Sequence, residues 1–452
     1  MTNNLNIFNT LSNKREKFVP ITKDRVGMYV CGPTVYDFPH IGNARPLVVF
    51  DVLFRLLKKI YGDNKVTYVR NITDIDDKII ETSKNKKISI DKLTNSISDS
   101  FNKDCIYLNC LKPNFEPKAT DNIKEMINMV SNLIKNNHAY ENKKHVYFSV
   151  SSFKEYGKLS NKDSKELIAG SRIEVSKFKR DPLDFVLWKP SDDADPGWES
   201  PWGRGRPGWH LECSVMGEKF LGKHFDIHGG GLDLIFPHHE NEIAQSCCSN
   251  KTSKFANYWL HNGFVTFDKV KMSKSLGNIV TIKNLSEKIN GQVVRLALLS
   301  SHYKQPLVWS EKLINESQNI LNKWYTQFEK CDLNEIDEDV TEPLLEDLNT
   351  PDYISKLHSL YDDSSKGSKT AKIKFLKACN LIGLLEENKE SWENFKKIKA
   401  NVDENFINKK IKDRKDARNN GDYKLADFIR KELEEKGIII EDKQDETLWK
   451  YK

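Results

Sequence analysis

Residues 26–50 read VGMYVCGPTVYDFPHIGNARPLVVF, and the fold class follows from this stretch and its neighbours. Val26 to Cys31 is a short apolar run that predicts a strand, and Gly32 opens the loop after it. Apolar residues then recur at helical spacing from Arg45 to Tyr61, and Lys65 to Ile72 predicts a second strand. Strand, loop, helix and strand in this order are typical of a parallel α/β unit.

The rest of the chain changes character several times. Short strands and loops from Tyr147 to Trp202, ending in a stretch rich in Pro, Gly and Trp, indicate an insertion into the α/β domain. Beyond about residue 310 the pattern is helical until the final strands. We therefore divide the 452 residues into an α/β domain (1–140 and 206–265), an inserted subdomain (141–205), a lysine-rich loop region (266–310), a helical bundle (311–400) and a small terminal domain (401–452).

The composition excludes several classes of protein. No run of about 18 apolar residues is present, and the first residues lack the pattern of a secretory signal. The eight cysteines are too few and too irregularly spaced for a disulfide framework, so they are either available to a metal or simply buried. We expect a cytoplasmic protein with no membrane partner. The net charge of +6 permits a polyanionic partner without requiring one.

Two short motifs have the chemistry of a nucleotide site. His40, Gly42 and Asn43 lie between the first predicted strand and helix, where backbone N–H groups and the helix dipole can hold phosphate oxygens. Lys271 and Lys274 lie in KMSKSLGN, and such a pair can neutralise a triphosphate. Alone, the first motif is equally compatible with a structural turn, and the second with a solvated loop. Together they favour ATP.

Four residues carry side chains that bind transition metals. Cys31 ends the first predicted strand, Cys213 lies in WHLEC, and His238 and Glu242 lie in FPHHENEI. On a helix, positions 238 and 242 face one side, about 6 Å apart at Cβ. Thiolate, imidazole and carboxylate are all ligands of Zn²⁺. The two cysteines show no local zinc spacing, however, so unrelated buried thiols are the alternative.

The two nucleotide motifs resemble the signature sequences of class I aminoacyl-tRNA synthetases. In addition, the segments 32–37 (GPTVYD), 71–80 (NITDIDDKII), 206–213 (RPGWHLEC) and 224–231 (HFDIHGGG) are similar to those of cysteinyl-tRNA synthetases. This resemblance covers nearly the whole chain. It implies a doubly wound, Rossmann-type parallel sheet, a C-terminal helical bundle and a small anticodon-binding domain. It also implies ATP-dependent activation of L-cysteine to cysteinyl-adenylate, and transfer to tRNA(Cys).

The resemblance also assigns roles to individual residues. It implies one Zn²⁺ held by Cys31, Cys213, His238 and Glu242, with the substrate thiolate as a further ligand, and Mg²⁺ with the ATP. It implies ATP binding and catalysis through His40, Asn43, Lys271 and Lys274, with Gly42 also at the nucleotide. The signature normally ends in His, so the share of Asn43 in catalysis is an open question.

Further residues are implied around the two substrates. Gly32, Thr73 and Trp209 would line the amino-acid pocket. A loop formed by Gly229, Gly230 and Gly231, together with Asp233, would lie near the adenosine. His224 and His228 are either thiol-facing groups or structural histidines. Because the insertion is short for a hydrolytic domain, we expect cysteine to be distinguished from serine on the metal.

The terminal segment is the expected tRNA-binding end. From residue 401 onward 13 basic residues balance 13 acidic ones, but the basic ones cluster along one predicted helix. Such a row fits phosphate contacts, and a solvated helix face is the alternative. The cluster comprises Lys409, Lys410, Lys412, Arg414, Lys415, Arg418, Lys424 and Arg430. Trp449, if exposed, could stack on a base. We expect a monomer.

Two rival functions use parts of the same pattern. A ligase that passes cysteine to an amino sugar would share the adenylate chemistry but lack the full anticodon-binding end. A non-catalytic tRNA-binding relative would tend to lose Lys271 and Lys274. A pyridoxal phosphate-dependent persulfide activity of the family is associated with a Lys-Ile-Ile-Lys element. This chain has Lys78-Ile79-Ile80-Glu81, which argues against that activity.

Overall fold

The computed structural model describes residues 4–162, 177–267, 270–271, 280–328, 332–335, 340–386, 389–400, 402–443 and 447–451. Its strands are β1 (Asn6–Asn9), β2 (Lys14–Lys17), β3 (Val26–Val30), β4 (Val66–Arg70), β5 (Ala139–Asn142), β6 (His145–Phe148), β7 (Phe185–Pro190), β8 (Gly205–Pro207), β9 (Phe225–Gly231), β10 (Ala256–Asn262), β11 (Val265–Phe267), β12 (Val270–Lys271), β13 (Leu307–Trp309), β14 (Ile438–Asp442) and β15 (Thr447–Tyr451).

The helices follow the same order along the chain. They are α1 (Ile41–Tyr61), α2 (Asp77–Lys86), α3 (Ile90–Tyr107), α4 (Ile123–Lys135), α5 (Leu211–Leu221), α6 (Glu240–Asn250), α7 (Ile282–Ser286), α8 (Gly291–Leu299), α9 (Glu311–Trp324), α10 (Glu342–Leu345), α11 (Thr350–Ser365), α12 (Lys369–Leu381), α13 (Lys389–Ala400), α14 (Glu404–Asn419) and α15 (Tyr423–Glu435). No helix in these described ranges is both long enough and apolar enough to cross a membrane.

A four-stranded parallel sheet is the centre of the α/β domain. Its strand order is β10-β9-β3-β4. Met28 and Val30 of β3 pack against α1 on one face, whereas Tyr29 points to the other face, toward α5 and α6. This alternation follows from the two-residue period of a strand. Helices therefore cover both faces, and the prediction of a doubly wound, Rossmann-type parallel sheet is confirmed.

The inserted segment forms a sheet of its own. Strands β5, β6, β7 and β8 pair antiparallel in sequence order. Apolar residues on their inner face, such as Phe148 and Leu187, share a core with Met126 and Leu133 of α4. The sheet spans residues 139–207, two residues beyond each proposed limit of the insertion.

The helices after residue 310 differ in how they join the rest. Leu321, Trp324 and Phe375 belong to the same hydrophobic core as α1, so α9 and α12 continue the core of the α/β domain. Helices α14 and α15 and the β14–β15 hairpin instead enclose a small separate core. The terminal unit can therefore fold around its own apolar residues.

Candidate active site and metal centre

The four residues expected to bind metal meet at the carboxyl end of the parallel sheet. Cys31 follows β3 directly, and Cys213 lies in the first turn of α5. His238 lies in a π-helical turn (Ile235–His239), and Glu242 lies one turn later in α6. Their ligand atoms all lie within 4.8 Å of one another. In open α/β sheets ligands bind at this carboxyl edge.

The distances within the cluster fit a tetrahedral metal site. Tetrahedral Zn²⁺, with bonds of ~2.3 Å to sulfur and ~2.1 Å to oxygen, separates two sulfurs by ~3.8 Å and a sulfur from an oxygen by ~3.6 Å. The Sγ atoms of Cys31 and Cys213 lie 3.7 Å apart, and Cys31 Sγ lies 3.5 Å from Glu242 Oε1. His238 Nε2 lies 3.0 Å from the same oxygen. The donor set and its spacing therefore suit one borderline-soft cation.

Electrostatics favour the ligand forms of two of these groups. Burial acts to raise the pKa of Glu242, but His228 and His238 outweigh it and hold that pKa at about 2. Burial also acts against ionisation of Cys213, yet the hydrogen bond from the Cys31 thiol lowers the pKa of Cys213 to about 6. Burial lowers the pKa of His238, whereas the charge of Glu242 raises it, to about 10. A carboxylate and a thiolate thus face a positive charge, which a cation would replace.

Several histidines surround the metal cluster. Of these, the sequence pointed only to His228. His228 is fully buried, and its Nε2 lies 2.8 Å from Glu242 Oε2, so one carboxylate oxygen is held while the other faces the metal ligands. His239 Nε2 lies 3.4 Å from Cys31 Sγ, and its Nδ1 contacts His261 at 2.8 Å. His224 instead bonds to Asn257 near the surface. The sequence left the roles of His224 and His228 undecided. In the structure His228 lies at the metal cluster and His224 does not.

The residues expected around the amino acid border the metal cluster. Trp209 stacks on His238 with ring centroids 4.2 Å apart and is 40% exposed, so it covers the cluster from the solvent side. Thr73 donates a hydrogen bond to Glu212, the neighbour of Cys213. The N–H of Gly32 donates to Asn71 Oδ1, and a Cβ at position 32 would lie 1.7 Å from the Asn71 carbonyl oxygen. Only glycine fits there.

The first nucleotide motif forms the beginning of α1. His40 is the N-cap residue, and its N–H donates to Oδ1 of Asn43 at 3.0 Å. Ile41 N–H donates to the carbonyl of Val280, and Ile282 N–H donates to that of Pro39. Val280 is the second residue after the KMSKSLGN segment in the chain, so the described chain resumes beside the first motif. Lys274 and the Lys271 side chain lie outside the described residues.

The structure corrects the prediction that Gly229, Gly230 and Gly231 form a loop near the adenosine. Gly229, Gly230 and Gly231 are not a loop, because they form the end of strand β9 and pair with β10. Close packing explains the glycines: a Cβ at Gly229 would lie 2.3 Å from the Phe50 ring, and one at Gly230 2.8 Å from His239. Asp233 follows in an exposed turn at the same edge of the sheet.

The basic residues of the terminal domain are only partly exposed, although the sequence suggested a fully exposed row. Arg414 is buried and makes two hydrogen bonds to Asp442, at 2.7 and 2.9 Å. Arg418 and Arg430 also approach this carboxylate, and Lys410 pairs with Glu432. Arg414 therefore fits neither of the two interpretations of the basic row, because it is buried in an ion pair rather than exposed to phosphates or solvent. Lys409, Lys412 and Lys415 are exposed along α14.

Comparison with known proteins identifies the family of this chain. Residues 17–319 match the family described as tRNA synthetases class I (C) catalytic domain. The cysteine–tRNA ligase of Pelagibacter ubique (strain HTCC1062) is 56% identical, and the match covers 100% of both chains. That of Wolbachia pipientis subsp. Culex pipiens (strain wPip) is 50% identical, covering 98% of this chain and 97% of the relative. The chain belongs to the cysteine–tRNA ligase family.

The fold of this cysteine–tRNA ligase family member is shared more widely. A methionyl-tRNA synthetase of Mycobacterium tuberculosis, solved in complex with methionyl-adenylate, superposes with a TM-score of 0.53 at 15% identity. The superposition covers 83% of this chain and 84% of that one. At this identity the likeness concerns the fold alone.

Sequence reasoning missed three histidines at the site, of which His239 and His261 are buried and His210 is partly buried. His210 contacts His238 Nδ1 at 2.9 Å, and His261 joins His239 to Thr10. Helical spacing could not place His239, because it precedes α6 in a π-helical turn. The only available signal was its position beside His238 in the chain.

Proposed function

We propose that this chain activates L-cysteine with ATP to cysteinyl-adenylate and transfers the cysteine to tRNA(Cys), with one Zn²⁺ recognising the substrate thiol. The observation that carries the proposal is the convergence of Cys31, Cys213, His238 and Glu242 within 4.8 Å. Family membership supports the reaction. The chemistry of the donor set supports the choice of zinc.

The ATP phosphates would bind at the beginning of α1. Backbone N–H groups there, with Gly42 allowing close approach, and the positive end of the helix dipole stabilise phosphate oxygens. His40 and Asn43 would donate hydrogen bonds, and Lys271 and Lys274 would neutralise the departing pyrophosphate together with Mg²⁺. Gly229, Gly230, Gly231 and Asp233 would border the adenosine.

The chain needs no nucleophile of its own. The carboxylate of cysteine attacks the α-phosphorus of ATP and pyrophosphate leaves. A hydroxyl of the terminal tRNA ribose then attacks the carbonyl carbon of the adenylate and AMP leaves. Catalysis of this kind rests on position and charge stabilisation, for which His40 and Lys274 are the leading candidates.

Selection of cysteine over serine would take place at the cluster. An apolar pocket distinguishes such near-isosteres by only ~10 to 200-fold. A bound zinc ion would supply a Lewis acid that prefers a thiolate to an alcohol. Trp209, Thr73 and Gly32 would then enclose the amino acid around its thiol. No hydrolytic editing is needed in this scheme.

The terminal domain would bind the anticodon end of tRNA(Cys). Lys409, Lys412 and Lys415 of α14, which are exposed, would contact its phosphates. Trp449 is half-buried against the small terminal core, which leaves part of its ring for a base.

Aminoacylation with cysteine and with serine, before and after zinc chelation, tests the proposal. We expect the untreated enzyme to charge tRNA(Cys) with cysteine only, and the chelated enzyme to lose cysteine charging until zinc is restored. An enzyme that keeps its preference for cysteine without metal would contradict the role given to zinc.

A further inference from the structure

A turn of the inserted segment packs against the residues that carry two of the metal ligands. This docking turn comprises Phe153–Ser160. Its last residue, Ser160, precedes Glu240 by 80 residues in the chain, yet the two are in direct contact. Leu159 of the docking turn is 2% exposed and shares a hydrophobic cluster with Cys213 and Trp259. The insertion therefore reaches the back of the metal centre.

The contact is built around the carboxylate of Glu240. Its Oε2 accepts hydrogen bonds from the N–H and from the hydroxyl of Ser160, both at 3.0 Å. Gly157 has a φ of 95°, a conformation that favours glycine, and it curls the backbone around the acid. Glu240 is 1% exposed, so these bonds are sheltered from water.

Tyr156, a residue of the docking turn, contacts the chain before and after His238. Its hydroxyl donates to Asn241 Oδ1 at 2.5 Å, and its ring meets that of Phe236 edge-on at 6.4 Å. Phe236 precedes His238 by two residues, and Asn241 precedes Glu242 by one. The docking turn thus holds the chain on either side of His238 and directly before Glu242.

We propose that Glu240 is a positioning residue that locks the inserted subdomain onto α6 and thereby keeps His238 and Glu242 in ligand geometry. This inference rests on the proposed metal site. Groups that orient ligands in this way commonly change metal affinity ~10 to 100-fold. The residue touches no substrate, and its effect should therefore appear in metal retention before it appears in chemistry.

The test is the rate at which zinc leaves the loaded full-length protein for a chromogenic chelator. We expect Glu240→Gln, which keeps the side-chain volume, to release zinc about 10-fold faster than the wild type. Asn136→Ala is the matched control, because Asn136 holds the opposite end of α6 through the carbonyls of Cys248 and Ser249. It should leave the release rate unchanged.

A second variant covers the case in which Glu240→Gln does not fold. Tyr156→Phe removes only the bond to Asn241 and should also accelerate release, with the absorption spectrum of the cobalt-substituted protein altered. Equal release rates in wild type, Glu240→Gln and Tyr156→Phe would overturn the inference, as would equal acceleration by Asn136→Ala. A wild-type protein that binds no zinc would instead overturn the metal site itself.

Discussion

Asn43 stabilises the start of the nucleotide helix. Its Oδ1 accepts the N–H of His40, a donor that the first turn of a helix leaves without an intrahelical partner. The oxygen of the amide is thus used by the fold, and the NH₂ is the part of this side chain suited to a phosphate. An amide offers an acceptor and donors in one protonation state, so the Asn43 side chain can serve the helix and a phosphate at the same time.

Asn43→Ala should lower the free energy of unfolding by about 1 kcal/mol through loss of this cap. Urea denaturation followed by circular dichroism measures the change. Asn64→Ala, at an exposed position just after α1, is the control and should stay within about 0.5 kcal/mol of the wild type. Equal stabilities of Asn43→Ala and Asn64→Ala would contradict the capping role.

Asp104 is a buried acid outside the site. It is 4% exposed on α3, and burial raises its pKa to about 7. In the unfolded chain the pKa of an Asp is about 3.9, so the folded state binds an extra proton between these values. The stability contributed by protonated Asp104 is therefore present below about pH 4 and is lost as the pH rises through 7.

Asp104→Asn should remove this pH dependence. We expect the variant to melt near the wild-type temperature at pH 4 and above it at pH 8, since it never carries the buried charge. Thermal melts across this range measure the difference. Asp99→Asn, at an exposed position of the same helix, should show no such divergence, and a divergence equal to that of Asp104→Asn would refute the argument.

Apolar spacing in the sequence predicted the helices and strands that bury one face against a core. The helix expected from Arg45 begins at Ile41, because capping by His40 and Asn43 extends it where apolar spacing gives no signal. Strand β9 ends in three glycines whose small size reflects contacts with Phe50 and His239, and these distant partners are invisible in a local window. The metal ligands were assigned through the resemblance, because spacing joins only His238 to Glu242.

Arg295 joins helix α8 to helix α1 and to two loops, and nothing in the sequence indicated this. This fully buried side chain of α8 pairs with Asp51 of α1 and donates to the carbonyls of Ile382 and Leu108. Arg295→Met should destabilise the protein by about 3 kcal/mol, because it removes one of the two guanidinium partners of the buried Asp51, the other being Arg55, and leaves the buried carbonyls of Ile382 and Leu108 without this donor. Urea denaturation measures this. Lys312→Met, at an exposed position, is the control, and similar losses in both variants would contradict the argument.

At the scale of the whole molecule, two kinds of junction divide the chain. The bundle shares the core of α1, so it should not separate from the catalytic domain. The pattern of predicted helices and the family resemblance suggested separate units that begin at residues 311 and 401. A local pattern cannot reveal a shared core, because such a core depends on packing between segments that are distant in the chain. The terminal unit has its own core of Ile407, Ile429, Leu433, Ile438 and Ile440.

Truncation after residue 400 should therefore separate the two reaction steps. We expect the shortened protein to keep cysteine-dependent ATP–pyrophosphate exchange and to lose charging of tRNA(Cys), since the anticodon contacts are removed and the activation site is not. Both assays on one preparation measure this. Loss of both activities in a protein that remains folded would contradict the division of labour.

The coordination sphere on which the amino-acid assignment depends can be measured directly by zinc X-ray absorption on the purified protein. We predict one zinc per chain with two sulfur ligands at ~2.3 Å and two nitrogen or oxygen ligands at ~2.0 to 2.2 Å. Cys213→Ser should reduce the sulfur count to one. A zinc bound only through nitrogen and oxygen, or a sulfur count unchanged by Cys213→Ser, would contradict the account.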